Sequence, residues 1–146
     1  MNIELAYKSI LYYCHTNNIE VVSSNVWSYD HNERIITEVW RGKPTKVWVY
    51  TMLHELGHAL THKTKSFSFR TWRISELGEH SAKDKVSAVQ IMREEMEAWE
   101  TGFKLAKRLN IQIERKDYDK YASECLFRYM KALPAEYEFW KSQKSK

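Results

Sequence analysis

The sequence lacks most of the features that mark secreted, membrane or disulfide-stabilised proteins. Its 146 residues include only two cysteines, Cys14 and Cys125, which lie far apart and form no C-x-x-C pair. We therefore expect free, mostly buried thiols rather than a disulfide or a cysteine metal site. No apolar run approaches the ~20 residues of a membrane span, and the first residues lack the basic start and apolar run of a signal peptide. These absences predict a cytoplasmic protein with no membrane segment.

Repeats, low-complexity stretches, domain linkers and a strong charge bias are also missing. With 43% hydrophobic and 14% aromatic residues, the chain can bury one compact core, so we expect a single domain over residues 1–146. The net charge of +4 is mild, and no basic stripe runs along one helix, so nucleic-acid binding has only weak support. The basic residues concentrate in a tail over 141–146 and in one loop cluster, which comprises Lys63, Lys65, Arg70 and Arg73.

What the chain does contain is the run His54-Glu55-Leu56-Gly57-His58. Residues four apart share one face of a helix, so the two histidines can chelate one metal ion. Catalytic zinc takes three protein ligands and leaves a fourth position to water. Glu55 then stands where its carboxylate can take a proton from that water and pass it to the leaving amine. The motif predicts a zinc hydrolase with Glu55 as general base; the alternative is a helix whose histidines face solvent or fill the core.

The surroundings of the motif favour a genuine helix. Thr45 can cap it, and apolar residues recur at helical spacing from Val47 through about His62. Gly57 removes a side chain beside the two histidines, so another backbone can approach closely.

The third ligand must come from elsewhere in the chain. A metzincin extension would need Gly at 61 and His at 64, and both positions are threonine, which excludes that class. His62 lies one turn further along the helix, where its side chain points away from a metal held between positions 54 and 58, so a helix-end or supporting role is expected. His80, in a polar loop, is a weak candidate.

A better candidate lies on the next long helix, predicted from Lys83 to Leu109. Ser81 and Asp84 approximate a capping box before it, and Asn110 suits the position just past its end.

Glu95 falls in the middle of the apolar arc of that helix, whereas Glu94 falls at its edge and Glu97 and Glu100 fall outside it. An isolated carboxylate in an apolar face is costly, and such groups persist when they are paired or bind a metal. This cost singles out Glu95, with Glu94 next if the helix is rotated. The inferred Zn²⁺ site has three ligands and one general base: His54, His58 and Glu95, with Glu55.

These residues resemble a known group of peptidases. The run H-E-L-G-H-A-L over 54–60, followed by Glu95-Met96-Glu97-Ala98, is similar to the two motifs of the ImmA/IrrE-type zinc peptidases, small gluzincin-like proteins common in bacteria, phages and mobile elements. The resemblance places the ligand glutamate on Glu95. It implies a zincin-like fold, a bound Zn²⁺, a protein substrate such as a transcriptional regulator or repressor, and a phage or mobile-element origin.

The chain also departs from the family pattern. Trp99 stands where the family usually has asparagine, and Thr101-Gly102 replaces Phe-Ala. Polar support for a histidine ligand must then come from another residue or be absent. Family members that cleave repressors often carry a helix-turn-helix domain, for which these 146 residues leave no room.

The remaining sequence predicts an α+β scaffold. We expect an N-terminal helix over 2–15, two β segments over 19–27 and 34–40 around a turn at 30–32, and a helix over 117–133 that Pro134 ends before a short one through Trp140. The β segments predict a small antiparallel sheet ahead of the metal helix, and the resemblance implies that Ile35 to Trp40 is an edge strand that pairs with extended substrate. The long polar loop from Lys63 to Ala82 suits either a lid or a packed surface loop.

The function predicted is hydrolysis of peptide bonds in a protein substrate. Three residues are candidate donors to the transition-state oxyanion, and the sequence does not rank them: Tyr50, His80 and Arg93. The main alternative is a zinc-stabilised binding module that docks on a regulatory protein or DNA without catalysis, against which the presence of Glu55 argues. A third hypothesis is that the protein hydrolyses an amide other than a peptide bond.

Overall fold

The computed structural model of the protein describes residues 1–30, 32–64 and 85–144. The fold is α+β, with four helices and one three-stranded sheet in this part of the chain. The elements follow one another in this order: α1 (Ile3–Thr16), β1 (Glu20–Ser23), β2 (Ser28–Asp30), β3 (Ile35–Glu38), α2 (Lys46–Thr64), α3 (Lys85–Arg108) and α4 (Arg115–Lys144). The predicted loop 63–82 falls outside the described residues beyond position 64, as do Ser81, Lys83 and Asp84.

Asparagines delimit the first and third helices. The Asn2 side chain accepts a hydrogen bond from the Leu5 amide at 3.1 Å and so caps α1. At the other end Asn18 has φ 53, and the Ile19 amide donates to the Cys14 carbonyl at 2.9 Å. This left-handed turn with a six-to-one hydrogen bond satisfies the last carbonyls of the helix.

The end of α3 repeats that arrangement. Asn110 has φ 55, and the Ile111 amide donates to the Ala106 carbonyl at 2.9 Å. The residue that follows each asparagine, Ile19 or Ile111, is buried. Each helix therefore ends by turning its next apolar residue back into the core, and the predicted place of Asn110 just past the helix end is confirmed.

The sheet is mixed rather than antiparallel, which corrects the sequence-based prediction. β3 lies in the centre, parallel to β1 and antiparallel to β2. The predicted segment over 19–27 is broken because residues 24–27 cross the end of β3, where the Thr37 hydroxyl donates to the Val26 carbonyl at 3.0 Å. Strands on both sides occupy the hydrogen-bonding edges of β3, so the expectation that residues 35–40 form a free edge is also wrong.

The turn between β2 and β3 agrees with the sequence. The Asp30 carboxylate accepts hydrogen bonds from the amides of Asn32 and Glu33, at 2.9 and 3.0 Å. An aspartate that bonds its own backbone two and three residues ahead stabilises a tight reversal of the chain.

Helix α2 runs through the middle of the molecule. The Thr45 hydroxyl accepts a hydrogen bond from the Trp48 amide at 3.1 Å, which confirms the predicted cap. Every residue from 48 to 57 is buried, because α1, the sheet, α3 and α4 surround the helix. A helix that is covered on all sides tolerates polar groups only where they have partners.

α2 and α3 pack with their backbones in contact. A Cβ atom placed on Gly57 would overlap the Ala98 carbonyl group, and one placed on Gly102 would overlap the Leu53 carbonyl group. The prediction that Gly57 admits another backbone is confirmed, and α3 supplies the reciprocal glycine. This double contact sets the distance between the two helices that carry the predicted ligands.

The C-terminal segment is one helix rather than two, so the expectation that Pro134 ends a helix is wrong. Pro134 lies inside α4, where it lacks one amide donor and crowds the carbonyl four residues earlier. Leu133, beside it, packs against Ile91 of α3, and both side chains are buried. This contact holds the helix against α3 through the proline.

The prediction for the two cysteines also holds. Cys14 is buried and Cys125 partly buried, and both thiols are free. None of the helices in the described part of the chain has the length and apolar character needed to cross a bilayer.

The backbone contact between α2 and α3 gives a stability prediction. Gly57→Ala should lower the free energy of unfolding by about 1–3 kcal/mol, because no rotamer change relieves a Cβ clash with backbone. Urea denaturation followed by circular dichroism measures the change. Val89→Ala, at a position 60% exposed on α3, is the control and should change stability by about 0.5 kcal/mol or less. Equal stability of Gly57→Ala and the native protein would contradict the close approach.

Candidate metal centre

The two histidines of the motif point to one place. His54 and His58 lie one turn apart on α2, and their Nε2 atoms are 3.2 Å apart. The side chain of His54 is 9% exposed and that of His58 is 19% exposed. The pair is therefore enclosed on the His54 side and open to solvent near His58.

α3 brings Glu95 to the same place. One carboxylate oxygen of Glu95 lies 3.1 Å from His54 Nε2, and the other lies 3.4 Å from His58 Nε2. Glu95 is buried, whereas Glu94 and Glu97 are only partly buried. The structure therefore confirms the prediction that Glu95, rather than Glu94 or Glu97, lies on the buried face of this helix.

The three side chains fit a metal ion. His54, His58 and Glu95 form a group whose candidate ligand atoms all lie within 4.8 Å of one another. A tetrahedral ion with ligand bonds of about 2.0–2.1 Å places its ligand atoms about 3.3–3.4 Å apart. His54 Nε2 lies 3.2 Å from His58 Nε2 and 3.1 Å from one Glu95 oxygen, close to that spacing, and His58 Nε2 lies 3.4 Å from the other Glu95 oxygen. Two imidazoles and one carboxylate are also donors that zinc accepts.

Electrostatics favour the ligand form of Glu95. Burial by itself raises the pKa of this carboxyl, but hydrogen bonding and positive charge from His54 and His58 outweigh burial and hold the pKa below its usual value. The group therefore offers an anionic oxygen between two imidazoles. The same balance explains how the apolar face of α3 tolerates this carboxylate.

Glu55 has the opposite balance. It is 6% exposed, and burial raises its pKa to about 7, with His58 lowering it and the neighbouring carboxylate of Glu95 raising it. A bound dication would oppose the rise, because positive charge favours the ionised carboxylate. Glu55 lies beside the group of three without belonging to it, which is the place predicted for a general base.

The structure adds Tyr129, which sequence reasoning missed. Tyr129 is 38% exposed, and its partial burial together with the nearby charges of Glu95 and Glu55 raises the pKa of its phenol. Tyr129 comes from α4, which carries none of the three predicted ligands. No local pattern in the sequence reveals it, because its position depends on how α4 docks against the other two helices.

None of the three oxyanion donors proposed from the sequence is placed beside the group of ligands among the described residues. The Tyr50 ring packs against Tyr118 and Tyr121 at centroid distances of 5.1 and 6.0 Å, so it belongs to the core. Arg93 is exposed and His80 lies outside the described residues.

Trp99 lines the other side of the group. Its indole ring stacks on the imidazole of His54, with centroids 4.2 Å apart and planes inclined by 19°. The departure from the family pattern at this position therefore places an aromatic ring directly on a predicted ligand.

Comparison of the chain with protein-family models, with curated proteins and with solved structures found no significant match. The resemblance to ImmA/IrrE-type peptidases therefore rests on the two motifs over 54–60 and 95–98.

The geometry predicts which glutamate binds metal. Glu95→Gln should lower zinc affinity by orders of magnitude, because it removes the anionic oxygen at the centre of the group. Glu94→Gln is the matched control, one residue away on the same helix, and should retain close to one zinc per chain. Elemental analysis and competition with a chromogenic chelator give stoichiometry and affinity. Retention of zinc by Glu95→Gln, or its loss in Glu94→Gln, would contradict the assignment.

Proposed function

We propose that the protein is a zinc-dependent peptidase acting on a protein substrate. The observation that carries the proposal is the buried group of His54, His58 and Glu95 with a fourth buried ionisable residue, Glu55, beside it. Two histidines and a glutamate form the ligand set of several catalytic zinc sites, which leave one coordination position open. When bound, zinc would supply Lewis acidity that polarises a carbonyl and makes water nucleophilic near neutral pH.

Glu55 supplies the proton transfer. In its ionised form the carboxylate takes a proton from the attacking water, and in its protonated form it gives that proton to the nitrogen of the leaving amine. Burial raises the pKa of Glu55 and a bound dication would lower it, so the two effects oppose each other when the site is occupied. A purely structural site has no use for a buried acid next to its ligands, which supports catalysis over a zinc-stabilised docking module.

The partly exposed His58 marks where substrate reaches the group. The edge of the ligand set at His58 is open, whereas the His54 edge is closed by the ring of Trp99. The class of substrate comes from the motif resemblance, which implies a peptide bond. A transcriptional regulator is accordingly the first substrate to test.

Replacing the general base separates catalysis from metal binding. Glu55→Gln should keep the fold and the zinc, because glutamine has the same shape and Glu55 is not a ligand. Hydrolysis should fall by about 10²–10⁴-fold, because the amide cannot take up the proton. The measurement is mass-spectrometric comparison of proteins cleaved in cells that express the native chain or the variant, followed by kinetics on the peptide identified.

Glu94→Gln is the control for the loss of one nearby carboxylate and should cleave normally. A Glu55→Gln protein that is folded, zinc-loaded and fully active in the cellular assay would refute the peptidase and leave the docking module as the better description.

We propose Tyr129 as the donor to the oxygen that gains charge in the transition state, because its phenol lies near the charges of Glu95 and Glu55 and is partly open to solvent. Tyr129→Phe removes only the hydroxyl, so zinc content should be unchanged while kcat falls about 100-fold, with a smaller change in KM. Tyr121→Phe is the control, because the Tyr121 hydroxyl contacts Thr51 at 3.1 Å. A normal kcat for Tyr129→Phe would exclude this role.

A further inference from the structure

The indole of Trp99 is built into the metal centre. It is 5% exposed and lies one helical turn after Glu95, so both side chains project from the same face of α3. Glu95 contacts His54 through its carboxylate at 3.1 Å, and Trp99 contacts the same imidazole through its ring at 4.2 Å between centroids. One face of α3 therefore contacts both the Nε2 atom and the ring face of the His54 imidazole.

The second ring nitrogen of His54 lacks the usual support. A histidine ligand normally donates its other N–H to a carbonyl, carboxylate or water, which fixes the tautomer and the ring plane. The Nε2 atom of His54 faces His58 and Glu95. Its Nδ1 atom is buried and has no hydrogen-bond partner among the residues that the structure describes. The χ2 torsion of histidine is broad, so a different contact must set the ring plane.

Trp99 is itself held firmly. Its ring meets Tyr118 and Tyr121 edge-on, at centroid distances of 5.5 and 5.7 Å. The Tyr118 hydroxyl also donates to the Trp99 carbonyl at 3.0 Å, in the protein interior. Both the backbone and the ring of Trp99 are thus fixed by α4, which makes the indole a rigid surface for the imidazole.

We propose that Trp99 is a positioning residue of the metal centre, setting the plane of the His54 imidazole by stacking where other sites use a hydrogen-bond acceptor. The negative face of the indole also stabilises the positive charge that an imidazole acquires when it binds a dication. The proposal rests on the metal centre and is independent of whether the centre hydrolyses peptides.

The test is metal affinity in variants that remove or keep the stack. Trp99→Leu should weaken zinc binding by about 10- to 100-fold, the usual effect of losing a group that orients a ligand. Trp99→Phe, which keeps an aromatic face, should restore most of the affinity. Chelator competition measures zinc, and the visible absorption of bound Co²⁺ reports the symmetry of the ligand set, which should change in Trp99→Leu and recover in Trp99→Phe.

A second buried tryptophan provides the control for lost packing. Trp48 is 4% exposed, packs against Tyr7 and Trp40, and donates its indole N–H to the Glu38 carboxylate of β3. Trp48→Leu should lower stability without changing zinc affinity or the Co²⁺ spectrum of the folded protein. The proposal would be overturned if folded Trp99→Leu bound zinc with native affinity, or if Trp99→Phe bound zinc as weakly as Trp99→Leu. It would also be overturned if Trp48→Leu lost as much zinc affinity as Trp99→Leu.

The proposal remains testable if Trp99→Leu does not fold. Co²⁺ bound beside Trp99 should quench part of the tryptophan fluorescence, and Trp99→Phe should bind Co²⁺ while losing the largest part of that quenching. Undiminished quenching in Trp99→Phe would show that Trp99 does not stack on a ligand. Absence of metal binding by the native protein would instead refute the metal centre itself.

Discussion

The contact between the backbones of α2 and α3 is the constraint on which the rest of the site depends. Gly57 and Gly102 each admit a carbonyl group of the facing helix, at a distance that side chains would prevent. Gly57 lies between the two histidines, and Ala98, which it meets, lies three residues after Glu95. The candidate ligand atoms lie about 3 Å apart because the two helices approach closely, and they approach closely because Gly57 and Gly102 have no side chains.

That close packing has an electrostatic cost. Four ionisable groups share a small volume of the core, and three of them, His54, Glu55 and Glu95, are buried. The negative charge of Glu95 is offset by the histidines, whereas Glu55 is pushed toward its neutral form. A dication at the centre would offset both carboxylates at once, which gives a physical reason for an arrangement that packing alone would not favour.

The sequence was sufficient where the determining interactions are local. Helical periodicity identified Glu95 over Glu94, and the caps at Thr45 and Asn110 were visible as residue types in the right positions. It was insufficient where distant segments meet. The order of the strands depends on residues 24–27 crossing the end of β3, and the position of Tyr129 near the charges of Glu95 and Glu55 depends on the docking of α4. The prediction that a helix ends at Pro134 was wrong, because the helix continues through the proline while Leu133 beside it packs against Ile91.

Helix α4 packs beside the candidate ligands without contributing one of them. It carries none of the three predicted ligands, yet Tyr118 near its start donates a hydrogen bond to the Trp99 carbonyl behind His54, and burial and the nearby charges of Glu95 and Glu55 raise the pKa of Tyr129. These two tyrosines are eleven residues apart, about 16 Å along a helix at 1.5 Å per residue, so α4 approaches the group both near His54 and near Glu95. Loosening of α4 would remove the support that Tyr118 and Tyr121 give to Trp99 beside His54, and an ion that fixes His54 would in turn favour the docked helix. Metal binding at the group of His54, His58 and Glu95 would therefore be thermodynamically coupled to the packing of α4, although no residue of α4 belongs to that group.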